Sequence, residues 1–239
     1  MISIVIPTYN EEKVIGKTIK SLKKGMGNIS YEIIVADGRS TDATRQIVKK
    51  EGATVVMLKI KKNISTGKNY GASFAKGEYI AFLDADITIK HPEAFFNKAL
   101  KHFEDDPDLT GLGCSIRVLP ELETRSDFFF RTMYNVFNTV LNNYLQFGTG
   151  AGEFQMVKRT SFEKVGGFNE NLVAGEDNDF FFRLAKIGHT RFDPSLVVYE
   201  IGRRAHQVGW IRLYLQWLFN GISVLMFKKS PYKNWDPIR

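Results

Sequence analysis

The chain has 239 residues, 44% hydrophobic and 25% charged, with a formal charge of +7. That balance excludes disordered, collagen-like and low-complexity classes, and the length allows a full core without disulfides or a structural metal. The single cysteine, Cys114, excludes an internal disulfide and a thiolate zinc cluster, and its apolar surroundings suggest an inert buried thiol.

No basic leader precedes the apolar residues 2–6, so a signal peptide is not expected, and no uninterrupted run of about 18 apolar residues predicts a membrane span. Residues 2–6 predict a buried strand. A helix follows over 10–23, with Val14, Ile15, Ile19 and Leu22 on one face. Further strands at 32–36, 54–58 and Tyr79–Leu83 alternate with helices at 40–50 and 66–75. This rhythm predicts βαβ units and a mostly parallel sheet in an α/β fold. After residue 90 it changes to a helix at 92–103, a strand at Leu109–Val118 and a long amphipathic helix at 126–147. A glycine-rich stretch at 148–152, a strand at 154–157, a helix at 175–187, a strand at 191–198 and a helix at Trp210–Phe227 complete the chain. With no linker or internal repeat, residues 1–239 are expected to form one domain. Its parts would be a nucleotide-binding half (1–90), an acceptor and catalytic half (91–205) and a basic aromatic tail (206–239).

Ligands of open α/β sheets bind beyond the carboxyl ends of the strands. Asp37 and Asp84 each directly follow a predicted strand. Were the chain extended at Asp84-Ala85-Asp86, the two carboxylates would point the same way, roughly 7 Å apart at ~3.3 Å per residue. That spacing suits one carboxylate on a hard divalent cation and its neighbour on a polar ligand group; turn-forming aspartates fit it equally well. Gly175-Glu176-Asp177-Asn178-Asp179 opens a helix, where acids complement the dipole, and Asp179 with Arg183 is spaced for an i,i+4 pair.

Five segments occur in one order: Pro7-Thr8-Tyr9-Asn10-Glu11, Ala36-Asp37-Gly38-Arg39-Ser40, Asp84-Ala85-Asp86, Gly166-Gly167-Phe168 and Gly175-Glu176-Asp177. Together they resemble the family-2 inverting glycosyltransferases of the GT-A fold, from Ile2 to about Trp210. The resemblance implies a Rossmann-like αβα sandwich. It also implies transfer of a sugar from a nucleotide-diphosphate donor to an acceptor hydroxyl, with Mn2+ or Mg2+ as cofactor. By the same resemblance Pro7, Tyr9 and Glu11 would line the base pocket, and Asp37 would bind the base or ribose. Lys68, in Gly67-Lys68-Asn69-Tyr70-Gly71, would face the nucleotide. Asp86 would hold the metal and Asp84 the ribose or the metal through water. Asp177 would be the general base, with Glu176 orienting the site. Arg203 and Arg204 would clamp the diphosphate, and His206 would be a third metal ligand. Gly150 and Gly152 would floor the acceptor site beside Glu153. The family's usual Asp-Asp-Gly-Ser is altered here by Ala36 and the inserted Arg39, which leaves the base open. A Gln-x-x-Arg-Trp motif is absent, against a processive synthase.

Other classes fare worse. A sugar-phosphate nucleotidylyltransferase needs a Gly-rich basic loop after the first strand, and a dehydrogenase or methyltransferase needs Gly-x-Gly-x-x-Gly there; neither is present. A non-catalytic nucleotide-sugar or glycan-binding module would have lost an acid from Asp84, Asp86 or Asp177. No motif supports nucleic-acid binding.

Two segments, 128–147 and Trp210–Phe227, hold 12 of the 31 aromatic residues. In the first, Arg131, Asn135, Asn138 and Asn142 form a polar stripe in an apolar helix; Arg212, Gln216, Asn220 and Ser223 do so in the second. Such helices pack on a sheet or lie in a bilayer interface, and both can hold on different faces. Residues 201–239 carry seven cations and one acid, so nearly all of the net charge sits there. The expectation is a cytoplasmic protein, peripheral on the inner membrane face through residues 210–233, acting on a lipid-linked or glycan-precursor acceptor.

Overall fold

The computed structural model describes residues 1–60 and 63–232. Its strands are β1 (Ile2–Thr8), β2 (Tyr31–Asp37), β3 (Thr54–Met57), β4 (Tyr79–Leu83), β5 (Leu109–Val118), β6 (Phe154–Lys158) and β7 (His189–Glu200). Among the described residues they make one sheet in the order β3-β2-β1-β4-β6-β5-β7. Four of the six pairings are parallel; only β6 runs against its neighbours, β4 and β5. The mostly parallel sheet expected from the alternation is therefore present.

Period-two burial explains the layers. Ile2, Ile4 and Ile6 of β1, with Ala81 and Leu83 of β4, face a core shared with α1 (Ile15–Gly25), α2 (Thr44–Lys50) and α4 (Pro92–Asp105). Val5, Ile80 and Phe82 face the other way, toward α3 (Ile64–Ala72) and α7 (Glu176–Leu184). Phe82 is fully buried against Phe162, Phe168 and Phe180, with ring centroids 5.5, 4.9 and 6.4 Å away. Cys114 is buried in the first core, and burial pushes its thiol well above the ordinary value, as an inert thiol requires.

The first helix starts at Ile15 rather than residue 10 because the loop before it is tied elsewhere. Asn10 takes φ 55°, the Glu11 amide donates to Thr44 Oγ1 (2.8 Å), and Glu12 Oε2 accepts from the Ala43 amide (2.9 Å). The chain also turns after β4 instead of staying extended, with the Ile87 amide donating to the Asp84 carbonyl (3.3 Å). Two short helices escaped the sequence pattern, α6 (Arg159–Lys164) and α8 (Arg203–Val208).

A further layer consists of α5 (Arg125–Thr139), continued by a π-helical turn (Val140–Tyr144), and α9 (Trp210–Phe227). Thr124 and Asp127 form a capping box at the start of α5. Helix α5 is inverted: Asp127, Arg131, Asn135, Asn138 and Asn142 point inward, while Phe128, Phe129, Met133, Val136 and Phe137 are exposed. The inward amides replace backbone partners. Asn135 accepts from the Ile116 amide and donates to its carbonyl, both at 3.1 Å, and Asn142 does the same for Thr149. Apart from Arg131 Nε, which has no hydrogen-bond partner among the described residues, the inward stripe is bonded in this way, and bonding offsets its burial.

Candidate active site

The carboxyl ends of β1, β2 and β4 meet the start of β6 and the first turn of α7. Asp37 ends β2 and is fully buried. Its Oδ1 accepts from the Ser40 amide (3.0 Å) and lies 3.7 Å from Arg45 Nε, while Oδ2 has no hydrogen-bond partner among the described residues. Pro7 packs against α3 at Gly67, and Tyr9 flanks Gly38. Arg39, the residue inserted in the motif, takes φ 69°, a left-handed conformation costing a side-chain-bearing residue about 1 kcal/mol. Across this loop, Glu11 Oε2 lies 3.2 Å from Arg203 Nη1, and Arg203 Nη2 lies 3.0 Å from Asp86 Oδ2. Arg204 follows it in the first turn of α8, partly buried.

The second half of the site centres on Asp177. Gly175, at φ 78°, starts α7 and brings Glu176 and Asp177 to the helix N-terminus, where the dipole favours carboxylates. Asp177 Oδ1 accepts from Lys68 Nζ (2.6 Å) and Gln155 Nε2 (2.8 Å). A methyl group placed on Gly152 would lie 3.0 Å from Asp177 Oδ2 and 3.8 Å from Asp84 Oδ2, so these groups border one gap. Gly150 packs against Phe181 and the Asp177 carbonyl, and its amide donates to Asn178 Oδ1 (3.3 Å). Beside them Glu153 Oε1 is 2.8 Å from Arg131, a buried cation that also binds Glu200 and sits among the rings of Tyr134, Trp210 and Trp217.

Burial alone would drive the Lys68 ammonium toward neutrality; Asp177, Glu176 and Asp84 outweigh it and hold the group charged. Burial and Asp177, opposed by Lys68, push the Glu176 carboxyl up to about 8. Burial also pushes Asp84 well above the usual carboxylate range; Lys68 opposes this, while Asp86, Glu153 and Asp177 add to it.

Two of the expected site residues have partners within the protein. Lys68 is fully buried, under Asp177 and 4.8 Å over the Phe168 ring. The reason is the close packing of α3 on β1, which aims the side chain inward. His206 is turned to Asp127, with Nε2 at 2.8 Å from Oδ2, and among the described residues no three His, Cys, Asp or Glu side chains converge as an ion site. The carboxylate pair Asp84 and Asp86 fits a hard divalent cation that takes its remaining oxygens from substrate phosphates and water. The crowding of four acids here, and Arg203 standing as a cation against Asp86, agree with that. Sequence reasoning missed Gln155, Arg131 and Glu200. A lone polar residue inside the apolar run of β6 was the available signal for Gln155, and the polar stripe of α5 was the signal for Arg131.

A family model described as Glycosyl transferase family 2 matches residues 3–166. The chain is 28% identical over 229 residues to the Bacillus subtilis (strain 168) protein named "Probable glycosyltransferase YdaM", covering 87% of this chain and 52% of that one. It spans about half the length of the curated relatives it matches. Among solved structures it resembles the mannosyltransferase PcManGT from Pyrobaculum calidifontis in complex with GDP-Man and Mn2+. The TM-score is 0.78 at 21% identity, covering 96% of this chain and 65% of that one. It also resembles residues 1–349 of S. aureus TarS in complex with UDP-GlcNAc, with a TM-score of 0.65 at 21% identity over 83% of this chain and 57% of that one. These likenesses establish the GT-A sandwich.

Proposed function

Because the chain belongs to glycosyl transferase family 2, we propose that it transfers a sugar from a nucleotide-diphosphate donor to an acceptor hydroxyl, inverting the anomeric carbon. The observation that carries this reading is the clamp on Asp177. One carboxylate oxygen is held by Lys68 and Gln155, and the other faces the gap shared by Gly152 and Asp84. A fixed carboxylate at such a gap can take the proton of an acceptor hydroxyl. As the acceptor oxygen bonds to the anomeric carbon, its proton passes to Asp177, and the carbon's bond to the donor diphosphate breaks with its electron pair.

On the donor side, Pro7, Tyr9, Glu11 and Asp37 receive the nucleoside, and the orphan Oδ2 of Asp37 suits a ribose hydroxyl or a base N–H. Arg203 and Arg204 serve the diphosphate. Asp84 and Asp86 hold the divalent cation. Mn2+ or Mg2+ bound there supplies Lewis-acid stabilisation of charge on the departing diphosphate. Lys68 acts behind Asp177, keeping its carboxylate oriented through Oδ1. Glu176, 3.9 Å from Lys68 Nζ, helps to orient the site. Gly150, Gly152 and Glu153 form the acceptor side. Donor class and cation draw support from the relatives solved with GDP-Man and Mn2+ and with UDP-GlcNAc.

In the domain scheme, residues 1–90 take the nucleotide, 91–205 the acceptor, and 206–239 attach the protein to a membrane face. The acceptor is a lipid-linked or glycan-precursor hydroxyl compound. Residues 233–239 lie outside the described residues.

Asp177→Asn is the direct test, since asparagine keeps an oxygen for Lys68 and Gln155 but cannot take the proton. Release of nucleoside diphosphate should fall at least 100-fold, in keeping with the loss of a general base, while titration calorimetry shows donor affinity nearly unchanged. Turnover at the wild-type rate would remove Asp177 from the mechanism.

A further inference from the structure

We infer that the outward faces of α5, the π-helical turn after it and α9 form one surface that docks on an anionic lipid bilayer. This deepens the membrane attachment through 210–233 by making the inverted α5 a principal part of the contact. It does not depend on the transfer reaction. A surface helix in water buries its apolar side and solvates its polar side; α5 does the reverse, with an inward stripe satisfied by β5, Thr149 and Glu153. Of 23 exposed large hydrophobic residues among those described, 17 lie in residues 128–147 and 211–227. Contiguous apolar patches of that kind mark interaction surfaces.

The two helices present their faces side by side. Phe130 stacks on Trp210 with centroids 5.4 Å apart and Tyr134 meets Trp217 at 5.7 Å, so the rings fill the seam between α5 and α9. The outer side chains, such as Phe129, Met133 and Phe137 on one helix and Leu215, Leu218 and Phe219 on the other, are left uncovered.

Charge decides the occupant. Residues 125–147 and 210–229 contain a single acid, Asp127, which is buried and holds His206 and Trp210. Every exposed charge on these segments is positive: Arg125, Arg212, Lys228 and Lys229. An apolar face whose own exposed charges are all cations matches acyl chains beneath anionic headgroups. A second copy on the same face would bring both sets of cations together with no exposed acid on these segments to neutralise them. No helix among the described residues is long and apolar enough to cross a membrane, so the pair lies along the surface.

Sedimentation of the 239-residue chain with vesicles tests this without turnover. The chain should pellet with phosphatidylglycerol-containing vesicles, less with pure phosphatidylcholine, and less as salt rises. Phe137→Glu with Phe219→Glu should abolish pelleting while near-ultraviolet circular dichroism stays native, because both side chains point outward. Phe74→Glu, at an exposed apolar site away from the patch, should pellet like the wild type. Lys228→Gln and Lys229→Gln should each weaken binding roughly five-fold. Failure to pellet at low salt overturns the assignment, as does a Phe137/Phe219 variant that still pellets. A dimer in light scattering that this variant dissolves, without vesicle binding, would give the face to a second copy instead.

Discussion

At Asp177 two requirements pull in opposite directions. A base must be free to reach a proton, yet Lys68 and Gln155 both hold Asp177 in place through Oδ1. The compromise is a carboxylate anchored through Oδ1 that presents its other oxygen in a fixed direction. Removing Lys68 tests it. Lys68→Met leaves Asp177 beside Glu176 with no counter-charge, and breaking such a buried pair costs about 3–5 kcal/mol, readable by urea denaturation. Loss of the Lys68 contact also leaves the Asp177 side chain free to turn, so kcat should fall while donor affinity stays nearly unchanged. An unchanged kcat with native stability would show that Lys68 does not position the base. The acids Asp84, Asp86, Glu176 and Asp177 could be found from motif order. The burial of Lys68 could not, because a Lys-Asn-Tyr-Gly string does not say which side of α3 meets β1.

Helix α5 shows the same limit one level up. The spacing of Arg131, Asn135, Asn138 and Asn142 identifies a polar face, but periodicity gives two faces without saying which one is inside. The answer lies in distant partners, the backbone of Ile116 on β5 and of Thr149, that no local pattern contains. Other elements are held by more ordinary means. Helix α4 is pinned to β7 at Asp193, which accepts from His102 (2.7 Å) and the Ser195 amide (2.8 Å) and lies 3.3 Å from Lys98. Burial works against this carboxylate, but Ser195, His102 and Lys98 lower it to about 2. Its pKa is therefore below the unfolded value, so the stabilisation is complete above pH ~4 and is lost as pH falls toward 2. Asp193→Asn should cost about 2 kcal/mol at neutral pH and about half that at pH 3, measured by urea titrations across pH. A cost independent of pH would mean that the pin is steric rather than electrostatic.

On the scale of the whole molecule, alternation of strands and helices made the first half legible, since each βαβ unit is local. The second half was less so: β6 enters antiparallel between β4 and β5, a pairing that depends on residues far apart in the chain. Ligand binding should register on the molecule as a unit. A nucleoside diphosphate with Mn2+ at 100-fold over its dissociation constant adds about 2.7 kcal/mol. For a chain of this size that is a rise of roughly 5–10 °C in melting temperature. Asp86→Ala should remove the part that depends on Mn2+. Equal shifts with and without the ion in the wild type would exclude a metal from the donor site.

The outward apolar face of α5 and α9 also changes what unfolding means for this chain. Apolar surface newly exposed on unfolding sets the heat-capacity increment and the denaturant slope. Side chains already in water contribute to neither, so in plain buffer the helix pair adds less to both than its length implies. Covered by lipid, the same side chains join the surface that unfolding must uncover. Heat-capacity increment and melting temperature should then rise together, coupling folding to attachment in one linked equilibrium.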